Sequence, residues 1–181
     1  MRNIIIILLG LYLCTSCEEA EFTPYSGKDY VQFVTRNTET VQYEINFKWI
    51  SVDSELDYDT IYLPIQTLGR IYDKDRYVML KQELYLEKEF IYNELGAVID
   101  TLIYASPNQA IEGVHYLPFN NPGIKERMKI HAGSFQSEIA IILKRDRVGE
   151  KLRRKLKVRI IDTPDILAGD PQATYCTINI E

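Results

Sequence analysis

Apolar and polar residues alternate with a period of two along most of this chain. Val41, Tyr43, Ile45, Phe47 and Trp49 interleave with Gln42, Glu44, Asn46 and Lys48. Alternation over nine residues predicts a strand with one face buried and one wet. Ile61, Leu63 and Ile65 alternate with Tyr62, Pro64 and Gln66. Pro64 lacks an N–H for a ladder, which predicts an edge strand or an N–H position turned outward. Phe135, Ser137, Ile139, Ile141 and Leu143 repeat the pattern, as do Leu156, Val158 and Ile160 against Lys155, Lys157 and Arg159. Cys176, Ile178 and Ile180 close the chain against Tyr175, Thr177 and Asn179. By the same parity Trp49 belongs to the core.

Shorter strands are predicted at 30–34, 77–86 and 125–130. Turn residues separate the runs: Ser26-Gly27, Asp73-Lys74-Asp75, Asn120-Asn121-Pro122-Gly123, Val148-Gly149-Glu150 and Gly169-Asp170-Pro171. Residues 87–110 carry the weakest pattern: Glu87–Leu95 fits one or two helical turns or an extended strand, Ala97–Tyr104 favours a strand, and together they suggest a hairpin extension. Many short strands with no helical stretch predict an all-β fold, a single antiparallel immunoglobulin-like β-sandwich of about seven to nine strands.

The N-terminus breaks the pattern. Arg2 precedes an apolar run, Ile4–Leu13, and Cys14-Thr15-Ser16-Cys17 follows. Ten apolar residues suit a secretory signal and fall short of the about 20 that span a bilayer. Small residues before Cys17 predict a lipoprotein signal over 1–16, cut between Ser16 and Cys17, with the lipid on Cys17. Cys14 follows the bulky Tyr12-Leu13 and is disfavoured; an ordinary signal peptide with an incidental cysteine is the alternative. A multiply acylated cysteine anchors stably, because stable anchoring takes more than one chain. Residues 17–27 then form a lipidated acidic tether, and 28–181 the sandwich with its possible extension at 87–110.

Two further segments carry a resemblance. Ala110-Ile111-Glu112-Gly113-Val114-His115-Tyr116 resembles the A-x-x-G-x-(D/H)-Y segment of Calx-beta sandwiches. Met128–Ser134 followed by Glu138–Leu143 resembles their strand, small-Gly-Ser turn, strand pair. With the lipobox and Gly27-Lys28-Asp29-Tyr30-Val31-Gln32-Phe33, nearly the whole chain is similar to the Bacteroidetes lipoprotein family called domain of unknown function 4843. Glu18, Glu19 and Glu21 resemble the surface-export signal of such lipoproteins; the plain alternative is a solvated tether. The resemblance implies a Calx-beta-related fold at the outer membrane, facing the cell surface, and no assigned activity. Calx-beta relatives bind calcium through clustered carboxylates, but Asp57, Asp59, Asp73 and Asp75 are spaced for two separate turns rather than one cage. No metal and no cofactor is expected.

Composition narrows the chemistry. A net charge of −5 gives no reason to expect nucleic acid as a partner. Once Cys14 is removed and Cys17 lipidated, Cys176 is the last of the three cysteines, and its parity is inward. Two histidines, His115 and His131, fit no zinc spacing, and Ser134 lies in no nucleophile elbow. These gaps predict a chain that is not an enzyme.

Two features suit binding. Lys144–Arg159 holds nine basic residues against Asp146 and Glu150. On its final strand Lys155, Lys157 and Arg159 take the wet face. A solvated face is the favoured reading, and a docking stripe for polyanions the sharper one. Tyr30, Tyr62 and Tyr175 take wet positions where rings can stack on sugars. Tyr72, Tyr85, Tyr92 and Tyr104 flank the 87–110 region and would mark a patch if they cluster. The expected function is a surface-anchored, non-catalytic lipoprotein module for glycan capture or an envelope complex. The alternative is a structural or adhesion subunit acting through protein contacts.

Overall fold

The computed structural model describes residues 26–34, 43–48, 57–146 and 153–181. The first sheet is formed by β1 (Tyr30–Phe33), β3 (Tyr58–Leu68), β9 (Gln136–Lys144) and the two-residue β11 (Leu167–Ala168), in the order β11-β1-β3-β9. The second holds β2 (Tyr43–Phe47), β5 (Met79–Glu83), β10 (Arg154–Ile161) and β12 (Tyr175–Ile180), in the order β2-β12-β10-β5. The fold is an all-β sandwich. Its central pairs are antiparallel, while β1–β11 and β2–β12 at the edges run parallel. Those parallel edges correct the purely antiparallel expectation. The opening stretch serves both sheets: β1 pairs with β3, and β2 lies beside the last strand. This is the immunoglobulin-like plan of two strand sets sharing one core.

The core follows the alternation. Ile61, Leu63, Ile65, Ile139, Ile141 and Leu143 of one sheet meet Leu156, Val158, Ile160, Cys176 and Ile178 of the other, all buried. Each such side chain contributes about 1.5–3 kcal/mol on burial. Within β2, Tyr43, Ile45 and Phe47 pack toward this core and Glu44 and Asn46 face water. Trp49, whose core placement the alternation predicted, lies outside the described residues.

Four local expectations change. β3 is an inner strand, not an edge. Pro64 is tolerated there because β1 ends at Phe33; the Pro64 carbonyl accepts from Val34 N–H at 2.9 Å, so the missing donor faces chain beyond β1. The 77–86 run splits into β4 (Arg76–Tyr77) and β5, and β4 pairs with β8 (Lys129–Ile130). The start of the 125–130 run belongs instead to a one-turn helix, α1 (Pro122–Lys125), because Asn121 caps it by accepting from Gly123 N–H at 3.0 Å and Pro122 opens it. Phe135 has inward parity but lies before β9 begins and is exposed.

Residues 86–105 form a separate two-stranded hairpin, β6 (Leu86–Tyr92) and β7 (Val98–Ala105). Its turn is built by Asn93, whose side-chain oxygen accepts from Leu95 and Ala97 N–H at 3.0 and 2.9 Å, with Gly96 at φ 75°. The chain returns at 108–110, where Ala110 N–H bonds Lys155 O and Lys155 N–H bonds Asn108 O. It then crosses to the first sheet, where residues 115–117 flank β9 through Lys144 N–H to His115 O and Leu117 N–H to Ile142 O.

Candidate functional site

The outer face of the second sheet gathers most of the chemistry. Inward Leu156, Val158 and Ile160 force Lys155, Lys157 and Arg159 outward. Register sets Arg159 opposite Tyr175 and Lys81, and Lys157 opposite Thr177 and Glu83. Arg159 Nη1 donates to the Tyr175 hydroxyl at 3.2 Å, and its Nε lies 3.2 Å from Glu83. The bond to Tyr175 leads the influences that raise the Arg159 pKa; Tyr175, Glu83 and Asp162 add to it, against the desolvation.

Lys157 Nζ lies 5.0 Å from the Tyr175 ring centroid, and Lys155 Nζ 4.2 Å from that of Tyr85. Such cation–π contacts are worth about 0.5–1 kcal/mol at exposed sites. Among the described residues no carboxylate lies within ion-pair range of Lys155 or Lys157. At one end the face runs into a cavity of about 410 Å³ bordered by Arg159, Asp162, Gly169, Pro171 and Tyr175. Asp162 is partly committed there, accepting from Ala168 N–H at 2.8 Å.

A second cavity of about 350 Å³ lies beyond β5, over Val78, Leu80, Phe119 and Met128. Its central amide is spoken for. Gln82 Nε2 donates to Ala110 O and its Oε1 accepts from Tyr116 hydroxyl, each at 2.7 Å. Tyr116 is fully buried and stacked on Phe119, and burial drives its pKa upward. This cavity is an architectural gap around a satisfied network.

The sequence-derived candidates separate. Tyr175, Lys155, Lys157 and Arg159 come together. Tyr30 and Tyr62 do not join them: both lie on the outer face of the first sheet, so the three tyrosines form no common platform. Nor do the other four cluster. Tyr72 stacks with Arg70 and Arg76, Tyr85 lies under Lys155, and Tyr92 and Tyr104 sit on opposite faces of the hairpin. The basic run is also divided. Arg145 is buried, Lys144 Nζ donates to Gly113 O, and Arg154 is close enough to influence His115.

Residues 110–116 form a structural turn. Gly113 adopts φ 78°, and its N–H bonds Tyr116 O at 2.8 Å. His115 is buried and its Nδ1 accepts from Ile111 N–H at 2.8 Å. Burial first, then the Arg154 charge, lower the His115 pKa, with Asp146 3.4 Å from Nε2 opposing them. His131 is exposed beside Asp75. Asp75 is engaged by Lys129 at 2.8 Å and by Ala132 N–H at 2.9 Å. Among the described residues no three His, Cys, Asp or Glu groups converge to hold a metal ion. Burial pushes the Cys176 thiol up to about 12, with Glu44 adding to the shift.

Cys17, Glu18, Glu19 and Glu21 lie outside the described residues. Among those described, no helix is long and apolar enough to cross a membrane. Sequence reasoning missed Glu83 and Tyr85 as members of the basic face. The alternation Lys81, Glu83, Tyr85 was the available signal, hidden because the run was read through β4 and into β6.

No family model and no curated protein matches the chain. Among solved structures, a candidate carbohydrate-binding protein from Bacteroides ovatus aligns at 11% identity and TM-score 0.41, over 84% of this chain and 36% of its own. A two-domain protein of unknown function from Bacteroides fragilis aligns at 10% identity and TM-score 0.41, over 85% of this chain and 46% of its own. This chain therefore spans less than half the length of either.

Proposed function

We propose that the chain is a non-catalytic binding module for acidic glycans, held at the outer membrane by a lipid on Cys17 and facing the cell surface. One observation carries the reading: Lys155 and Lys157 rest on tyrosine rings without a carboxylate partner among the described residues. A cation held this way keeps its N–H donors available. Alternate residues of β10 place the backbone positions of these two lysines about 6.6 Å apart on one face, so that one acidic chain lying along the strand can reach both. The Tyr175 ring is shared by Lys157 and Arg159, which favours charge recognition over stacking of a neutral sugar on that ring. The neighbouring cavity gives room for one sugar unit beside Arg159.

The test is a glycan array probed with the full chain at two salt concentrations. Acidic glycans should bind at low salt and be lost near 1 M, where the screening length falls to about 3 Å. Replacing Lys157 and Arg159 together by Ala should weaken binding tenfold or more. Binding of neutral glycans that survives high salt, or acidic binding indifferent to both substitutions, overturns the reading. For the anchor, Cys17→Ala should move the protein from the membrane to soluble or unprocessed fractions; unchanged retention removes that part.

A further inference from the structure

The wall of the cavity beside Arg159 is tied down. Asp170 Oδ1 accepts from Gln172 N–H at 2.7 Å, and the buried Thr174 hydroxyl donates to Pro171 O at 3.0 Å. Gly169 N–H donates to Val31 O at 2.8 Å, and a Cβ on Gly169 would lie 3.2 Å from that oxygen. The segment 168–174 is therefore held to itself and close against β1, and the cavity needs no ordering when a ligand enters.

Three groups at this cavity keep unused hydrogen-bonding capacity. Arg159 is engaged by Tyr175 at Nη1 and by Glu83 at Nε, each at 3.2 Å, which leaves Nη2 unpaired among the described residues. The Tyr175 hydroxyl accepts from Arg159, so its own proton remains to be donated. Asp162 is exposed and accepts from Ala168 N–H at Oδ1; its Oδ2 has no partner among the described residues. Arg159 and Asp162 are the charged residues of the lining, one of each sign.

Two donors and one acceptor in one cavity specify a ligand. An anion satisfies the donors, because a planar carboxylate accepts from two groups at once. Asp162 Oδ2 only accepts, and it repels a second anion. A hydroxyl that donates is what satisfies it. A uronic acid meets both demands within one sugar: a carboxylate on the ring and hydroxyls on nearby carbons. Neutral sugars lack the first, and fully sulfated sugars lack the second.

Resting on the acidic-glycan reading, we propose that this cavity selects a uronic acid unit with free ring hydroxyls, its carboxylate taken by Arg159 and Tyr175 and one hydroxyl by Asp162. Asp162 then disfavours sulfate-rich chains, a repulsive element beside the attractive ones. Lys155 and Lys157 supply attraction to any acidic chain, and the cavity supplies the discrimination.

The test is titration of the full chain in mild detergent, at about 0.15 M salt, with three probes. These are trigalacturonate, its fully O-acetylated form, and persulfated maltotriose. Acetylation keeps every carboxylate and removes the hydroxyl donors, so the acetylated probe should bind about tenfold more weakly. Asp162→Asn should erase that difference by weakening trigalacturonate. The same variant should bind persulfated maltotriose more tightly, a gain that also shows it is folded. Tyr175→Phe keeps the ring under Lys157 and should weaken both uronate probes severalfold. Equal binding of the two uronates by the parent, a preference that survives Asp162→Asn, or uronate binding indifferent to Tyr175→Phe overturns the proposal and leaves the acidic-glycan reading standing. Binding of persulfated maltotriose alone does the same. Binding of none of the three overturns both.

Discussion

The sandwich and the hairpin obey the same alternation and meet opposite fates. In β9 the inward residues Ile139, Ile141 and Leu143 are buried against a facing sheet. In β7, Ile99 and Ile103 are 63% and 58% exposed although their intrinsic strand preference is just as strong. A strand pattern specifies which side chains share a face; it does not supply the layer that covers them. The sandwich finds that layer within its own chain. The hairpin leaves the sheet after β5 and returns at residue 108, with no facing sheet among the described residues to pack on.

The contrast is sharpest for large-to-small substitution. Ile141→Ala should cost about 2–5 kcal/mol, because it removes buried methylenes and leaves a cavity. Ile103→Ala should stay within about 0.5 kcal/mol in the monomer. Urea unfolding of both variants checks this; equal losses would mean that the hairpin is packed in solution.

A smaller effect is expected where the first sheet ends. Gly69 adopts φ 132°, and a Cβ there would lie 2.2 Å from Asp29 Oδ1. Asp29 is tied by Arg70 N–H at 2.7 Å, by Tyr72 hydroxyl and by the Arg70 guanidinium at 3.5 Å. Gly69→Ala should therefore cost about 1–3 kcal/mol from backbone strain and loss of this corner. An unchanged unfolding midpoint would remove the corner from the account of stability.

Acid should act on the sandwich in two stages. The folded state lowers the His115 pKa, so the unfolded chain binds the extra proton first. Stability is fully present above the ordinary histidine value of about 6.5 and declines as pH falls below it, until the folded group itself titrates. Burial disfavours the charged form of Asp29, but its bonds to Tyr72 and Arg70 prevail and lower its pKa. Its contribution holds above about 3.9 and is lost as pH falls through the folded value. Urea midpoints between pH 7.5 and 5 should fall in the parent and flatten in His115→Gln. A slope that persists in the variant would assign the first stage to another group.

The smallest energies separate the two regions by rate. Amides of β7 whose N–H points away from β6 should exchange quickly at low protein concentration, and those of β9 should require global opening. Protection of these β7 amides as strong as that of β9 would mean that the outer edge of the hairpin is covered in solution.

The basic face was half legible. Inward Leu156, Val158 and Ile160 announce that Lys155, Lys157 and Arg159 point outward, and Tyr175 follows from Cys176 and Ile178. That Tyr175 lies beside Arg159 rather than beside Tyr30 is a matter of which strand neighbours which. Likewise, Pro64 was expected at an edge because a missing donor is visible in sequence, whereas the end of β1 beside it is not.

Local chemistry by itself determined most strand periods, most inward and outward parities and the turns, because these depend on residues a few positions apart; it suggested a hairpin at 87–110 without excluding a helical start. Tertiary structure decided the rest. It divided the described basic residues of 144–159 among an outer face, a buried arginine and a histidine's surroundings. It made Gln82 a structural partner of Tyr116, and it left β7 paired with β6 alone among the described strands. Each of these depends on contacts between strands distant in sequence, where register and sheet order, not composition, set the neighbours.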